Sequence, residues 1–204
     1  FASSGAVEAD GDGDFIITWS SNGQDGDEFG VFAQRYSADG TPEGNEFQVN
    51  TYTTNSQDIS VVAADGDGDF IITWSSDGQD GDESGVFAQR YNADGTPNGS
   101  EFQVNTFTTG TQSEPAVAVD GDGDFVITWW SRPSDGSDGN GGDIFAQRYN
   151  ADGTPDGSEF QVNTTFTTGS QSEPAVAVDG DGDFIITWFG DGQDGNDNGV
   201  FAQR

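Results

Sequence analysis

The hexapeptide Asp-Gly-Asp-Gly-Asp-Phe occurs four times, beginning at Asp10, Asp65, Asp120 and Asp179, at spacings of 55, 55 and 59 residues. A chain built this way must fold as an array of one repeated unit, so the unit is what needs explaining. Other landmarks travel with the hexapeptide. A run of small apolar residues precedes it, as in Pro115–Val119, and Phe-Ile-Ile-Thr-Trp begins at its last residue, as in Phe15–Trp19. Val31–Arg35 and its copies follow, then Glu46–Asn50 with copies at Glu101 and Glu159. The first two units differ at only five positions between Ala9–Thr51 and Ala64–Thr106.

Each landmark reads as a strand, because β-branched and aromatic residues alternate over short runs. In order these are strand a (the small apolar run), b (Phe to Trp), c (Val-Phe-Ala-Gln-Arg-Tyr) and d (Glu-Phe-Gln-Val-Asn). Asp-Gly pairs join a to b, and Ala-Asp-Gly-Thr-Pro joins c to d, both tight-turn chemistry. No segment carries a capped helical period, so the spacing predicts an all-β chain. Four short antiparallel strands per unit predict a β-propeller of four-stranded blades about 55 residues long. The blades are 1–55, 56–110, 111–169 and 170–204, the last without its outer strand. A parallel β-helix fits less well, since its coils are shorter and lack hairpins. The small residues of strand a suit the crowded axis, and the more polar strand d suits the rim. The missing outer strand is expected to come from elsewhere, along the edge formed by residues 199–204.

Unit three is four residues longer. Three of the extra residues fall between b and c, in Ser131–Gly142, and one between d and a. Those two connections emerge on one face of the disc, which is therefore the variable face and the better candidate for partner contacts.

Composition narrows the function. Of 204 residues, 37 are acidic and five basic, all arginine, giving a net charge of −32. A surface this negative repels phosphate backbones, which excludes nucleic acid. Lacking cysteine and histidine, the chain has no disulfide, thiolate nucleophile or imidazole base. No apolar run approaches the ~20 residues of a membrane helix, so no membrane insertion is expected. Low hydrophobicity with high charge is a signature of disorder, but 12% aromatic content and regular strand blocks oppose it.

Three carboxylates at alternate positions of a glycine-rich hairpin point to a hard cation such as Ca²⁺, which takes six to eight oxygens. The candidate ligands are Asp10, Asp12, Asp14, Asp65, Asp67, Asp69, Asp120, Asp122, Asp124, Asp179, Asp181 and Asp183. Acids of the b–c loops (Asp25, Asp27, Glu28, Asp80, Asp82, Asp135, Asp194, Asp197) read first as solvated negative surface and second as weaker cation sites. Arg35, Arg90, Arg148 and Arg204 share one strand position and are expected to pair with Glu46, Glu101 or Glu159 across the c–d hairpin. Trp19, Trp74, Trp129 and Trp188 read as packing between blades, with a sugar-stacking platform as the alternative. Trp130, beside the insertion, reads as an exposed contact. Asn98 and Asn163 head glycosylation sequons.

Asp-x-Asp-Gly-Asp before an apolar strand, once per four-stranded blade, resembles the calcium loops of the FG-GAP repeats in integrin α-chain propellers. The acidic turn, Phe-x-x-x-Trp, Phe-Ala-Gln-Arg and Glu-Phe-Gln-Val-Asn together resemble tandem repeats of large bacterial secreted or surface proteins, over essentially the whole chain. The resemblance implies a propeller-like fold, calcium and an extracellular location. On these grounds the chain is expected to be a non-enzymatic, calcium-stabilised structural protein: a surface layer, adhesin stalk or filament subunit. It would associate with itself, with surface proteins or with glycans. The alternative is a lectin-like propeller with repeated aromatic pockets. Catalysis is not expected, because it needs a unique asymmetric pocket and nearly every acid has a copy in the next unit.

Overall fold

The computed structural model describes residues 2–133, 141–193, 195 and 198–204. Every regular element among them is a β-strand. The strands form four antiparallel sheets in simple up-and-down order, one per repeat, as the turn chemistry predicts. The first blade is β1 (Ala2–Ala9), β2 (Phe15–Asn22), β3 (Phe29–Tyr36) and β4 (Pro42–Gln48). The second is β5 (Gln57–Ala64), β6 (Phe70–Asp77), β7 (Ser84–Tyr91) and β8 (Phe102–Gln103). The third is β9 (Thr111–Val119), β10 (Phe125–Arg132), β11 (Asp143–Tyr149) and β12 (Phe160–Gln161). The fourth has β13 (Gln171–Val178), β14 (Phe184–Asp191) and β15 (Asn198–Gln203).

Strand a is innermost in every blade: β1 packs on β5, β5 on β9 and β9 on β13. The outer strand departs from expectation. In the first blade it starts earlier, at Pro42, and in the second and third it shrinks to two residues plus a bridge from Tyr91 to Pro97 or from Tyr149 to Pro155. Among the described residues no strand lies beside β15.

The core lies between blades, in three clusters. Ile16, Val31 and Ala33 of the first blade meet Val62, Phe70, Ile72 and Trp74 of the second. Ala63, Ile71, Val86 and Ala88 meet Val117, Phe125, Ile127 and Trp129 at the next junction. Val126, Ile144 and Ala146 meet Ile186 and Trp188 at the last. Alternation along strand b explains this: Ile16-type residues face the following blade, and Ile72- and Trp74-type residues the preceding one. Trp74, Trp129 and Trp188 are buried, which confirms packing and removes the stacking platforms that a repeated aromatic pocket would need.

A buried polar network anchors each hairpin to the next blade. Asn50 Oδ1 accepts the Val31 N–H at 2.7 Å, and its Nδ2 donates to Tyr52 O at 2.8 Å and Gln57 Oε1 at 3.1 Å. Asn105 and Asn163 repeat the pattern with Gln112 and Gln171. Asn163 is thus buried with its amide engaged, so its sequon is closed to a glycan in the folded chain.

Candidate functional site at the axial mouth

The acidic boxes close on themselves. Asp10 Oδ1 accepts the Asp12 and Asp14 N–H groups, both at 3.0 Å, and Asp65, Asp120 and Asp179 do the same in their loops. The third aspartate crosses to the c–d turn of its own blade: Asp14 accepts from Ala38 at 2.9 Å, Asp69 from Ala93 at 2.8 Å and Asp124 from Ala151 at 2.8 Å. Asp183 instead pairs with Arg204 at 2.5 Å. The second aspartates, Asp12, Asp67, Asp122 and Asp181, are exposed. Among the described residues no group of three or more acids is already gathered to hold a metal ion.

The arginines find other partners than expected. Arg35 pairs with Glu43 at 2.6 Å and Arg148 with Asp156 at 2.7 Å, three residues before the predicted glutamates. At the equivalent position the second blade has Asn98, and Arg90 donates instead to the Ala151 carbonyl of the following blade. Glu101 and Glu159 tie blades together. Each accepts from the backbone and hydroxyl of a threonine in the preceding blade, Thr51 and Thr106, at 2.6–3.0 Å. Glu46 accepts from Gln24.

The b–c loop acids are more than solvated surface. Asp27 and Asp82 accept the N–H of Asn55 at 3.0 Å and of Gly110 at 2.9 Å, and Glu28 and Glu83 accept the hydroxyls of Ser56 and Thr111. Each loop therefore latches the segment that enters the next blade. Asp135, Asp194 and Asp197 lie outside the described residues.

Sequence reasoning missed the most distinctive group. Strand a of blades two to four breaks register at one point, between Asp58 and Val61, opposite Thr128–Trp130, and between Ser172 and Ala175. At the break Ile59, Glu114 and Glu173 hold left-handed backbone, with φ of 52°, 55° and 51°. For a β-branched residue such as Ile59 this is a costly conformation, and such strain gathers at functional sites. The bulges lie on the innermost strands, toward the variable face. Glu114 Oε2 accepts the Glu173 N–H at 3.0 Å, so the two bulges touch across the blade junction, and Glu173 is exposed.

One residue earlier, Asp58 lies opposite Ser75 on the face turned to the third blade. Burial, and secondarily the charge of Asp77, pushes its carboxyl above the ordinary carboxylate range. Thr73 Oγ1 and Ser75 Oγ on that face are buried without partners. At the first junction the hydroxyl of Ser60 meets Thr18 Oγ1 at 3.3 Å. The residue equivalent to Ser60 at the second junction is Pro115, which has no donor, so Thr73 is left alone. Trp130, equivalent to Ser75, is half-buried with its indole N–H enclosed rather than offered to solvent.

The second blade, which copies the others almost everywhere in its strands, differs here: Asp58-Ile59-Ser60 stands where the third and fourth blades both have Ser-Glu-Pro, at 113–115 and 172–174. That difference was a readable signal in the sequence.

The fold is that of β-propeller glycoside hydrolases. The chain is similar to an endo-arabinase from Bacteroides thetaiotaomicron, at 14% identity and a TM-score of 0.50, over 94% of this chain and 70% of that one. It is similar to an α-L-arabinofuranosidase from Lactobacillus brevis, at 12% identity and 0.52, over 94% and 69%. A sucrose-6-phosphate hydrolase from Lactobacillus gasseri matches at 9% identity and 0.53, over 87% and 39%. No protein family and no curated protein matches the sequence significantly.

These likenesses carry the propeller and do not extend to FG-GAP calcium loops. They also correct two expectations, that the protein is a non-enzymatic structural repeat and that repetition excludes catalysis. The endo-arabinase and the arabinofuranosidase that share this fold are enzymes acting on carbohydrate. The physical reason the exclusion fails is local. Repetition equalises the boxes and the inter-blade core, but the bulge of the second blade, Asp58-Ile59-Ser60, differs from the Ser-Glu-Pro that the third and fourth share, so the units are not all equivalent near the axis.

Proposed function

We propose that this chain is a carbohydrate-active propeller of the glycoside-hydrolase type, acting on a neutral glycan at the axial mouth. The observation that carries the reading is the set of acids Asp58, Glu114 and Glu173, on or beside left-handed bulges of the innermost strands, with Asp58 present only in the second blade, where the third and fourth both have serine. Glycoside hydrolysis needs one carboxylic acid to protonate the leaving oxygen and one carboxylate on the other side of the sugar. Asp58, kept protonated to higher pH by burial and by Asp77, suits the acid. Glu173, exposed, suits the carboxylate that activates water. Glu114, holding the Glu173 N–H, positions the bulge. A net charge of −32 disfavours phosphorylated or uronic substrates. Polymeric neutral glycans are met outside cells, which supports an extracellular site of action.

The test is release of reducing sugar from arabinan, xylan and levan, and of aryl leaving groups from arabinofuranosides. Activity on at least one is expected. Asp58→Asn or Glu173→Gln should lower kcat by about 100-fold or more, the usual contribution of a positioned acid or base. An unchanged rate in both variants, or no activity on any neutral glycan, defeats the reading.

A further inference from the structure

The outer edge of the third blade does not follow β11 evenly. Tyr149 bridges to Pro155 and Ala146 pairs with Phe160, so the four residues 156–159 stand against only Gln147 and Arg148. The excess opens a groove of about 550 Å³ between this stretch and the outer edge of the second blade, from Phe102 to Thr106. That volume lies in the range of small-ligand sites. The clefts beside the acidic boxes hold only about 160 and 220 Å³. Both walls of the groove belong to the two central blades.

Its floor is buried and its walls are mixed. Val104 and Tyr149 are 2% and 4% exposed, and the Phe102 ring tilts on Tyr149 with centroids 5.5 Å apart. Phe102 and Pro155 supply apolar carbon to the sides. Gln147, 3% exposed, donates through Nε2 to the Arg148 and Gly157 carbonyls at 2.7 and 3.3 Å, which leaves Oε1 without a protein partner. Glu159 gives Oε2 to the Thr106 N–H and hydroxyl. Its other oxygen departs from the repeat. Glu46 and Glu101 each hold there the amide of a b–c loop glutamine, Gln24 and Gln79. The third b–c loop, Ser131–Gly142, contains no glutamine, and among the described residues nothing takes its place. The unengaged amide and carboxylate oxygens are therefore acceptors, and no basic residue lines the groove.

We propose that this groove is a second carbohydrate site, holding units of a neutral glycan at the rim. A sugar ring carries hydroxyl donors at its edge and C–H groups on its faces. The donors suit the oxygens of Gln147 and Glu159, and the faces suit Phe102 and Pro155. An acceptor left unpaired in a buried setting costs free energy, which a ligand hydroxyl offsets. A carboxylated sugar would meet Glu159 and the net charge of −32. The groove lies on the outermost strands, whereas Asp58 lies on an innermost one, so it binds without adding a step to hydrolysis. It rests on the axial reading only for the choice of probe.

The experiment is an amide NMR titration of the intact, nitrogen-labelled chain with xylohexaose and with arabinohexaose, in an Asp58→Asn background that keeps the probes whole. Saturable shifts are expected at Thr106, Gly157 and Ser158 with at least one probe. Gly157→Asn should weaken binding by about tenfold or more. The φ there is 85° and an added Cβ meets nothing within 4 Å, so asparagine fits the backbone and crowds the groove. Gly44→Asn, at the same place in the first blade with φ of 74°, is the control and should leave binding unchanged. Both variants should keep the parent melting temperature. Shifts confined to the axial bulges, no saturation with either probe, an equal loss in Gly44→Asn, or a stronger response to spermidine than to either sugar would overturn the proposal. Hydrolysis decides the axial reading and the position of the shifts decides this one, so each can fail alone.

Discussion

Replacing Asn105 by alanine tests the anchor that fixes each hairpin to the next blade. The side chain is 3% exposed and serves three buried groups: the Val86 N–H at 2.8 Å, the Phe107 carbonyl at 2.9 Å and Gln112 Oε1 at 3.0 Å. A buried polar group left unpaired costs about 1–3 kcal/mol. Taking about 1 kcal/mol for each, because water can enter the space vacated by the amide, gives a loss of about 3 kcal/mol. With a urea m value of about 2 kcal/mol/M, the unfolding midpoint should fall by about 1.5 M. Equilibrium urea unfolding followed by tryptophan fluorescence measures this, with m held as a check that the unfolded reference is unchanged. Asn105→Asp keeps an acceptor for Val86 but sets a charge against Gln112 Oε1 and near Asp80, and should be worse. A fall of less than about 1 kcal/mol at constant m would refute the reasoning, because it would mean that the three groups find other partners at little cost.

Asp58 predicts a pH dependence. Its folded carboxyl titrates above the unfolded value of 3.8, so the fold binds the proton more tightly and stability falls as pH rises from that value through the raised one. Asp58→Asn should therefore melt higher than the parent at pH 7, with the difference vanishing toward pH 3; a constant offset across pH would count against it. Calcium at the boxes is tested by melting in calcium and in chelator at matched ionic strength. A rise of several degrees is the outcome for an ion held there, and equal melts confine the boxes to their hydrogen-bonded role. Glu114→Gln retains an oxygen for the Glu173 N–H and should keep the fold and most activity, whereas Glu114→Ala should lower kcat with Glu173 displaced; equal rates would remove the positioning role.

Much of the fold was legible because the repeat made it so. Alternation along Phe70–Trp74 and the Asp-Gly turns fixed strands, order and the inter-blade position of the tryptophans, since each depends on local pattern alone. The partners of the arginines were not legible. Arg35 to Glu43 and Arg35 to Glu46 are equally plausible by spacing, and only the register break between Ala33 and Arg35 decides between them. The hydrogen bonds inside the boxes were not legible for a related reason. Alternate carboxylates read as ligands, yet a short hairpin offers its own N–H groups at the same distance, and those satisfy the first aspartate. The axial site was hidden by attention to what the copies share. Part of its information lies in what they do not share, Asp58-Ile59 against Ser-Glu in the third and fourth blades, and left-handed backbone at Ile59, Glu114 and Glu173 has no propensity signature.

The latches between blades direct acid side chains at backbone N–H groups: Asp27 at Asn55, Asp82 at Gly110, Glu101 at Thr51. A main-chain donor is offered by any residue except proline, so the backbone half of such a joint does not inspect its neighbour, and the hydroxyl half asks only for Ser or Thr. Units joined this way can be gained, lost or shuffled by unequal recombination without redesigning a single interface. The genetic instability of near-identical tandem copies then becomes a source of variation in blade number, while the axial bulge remains free to specialise within each unit.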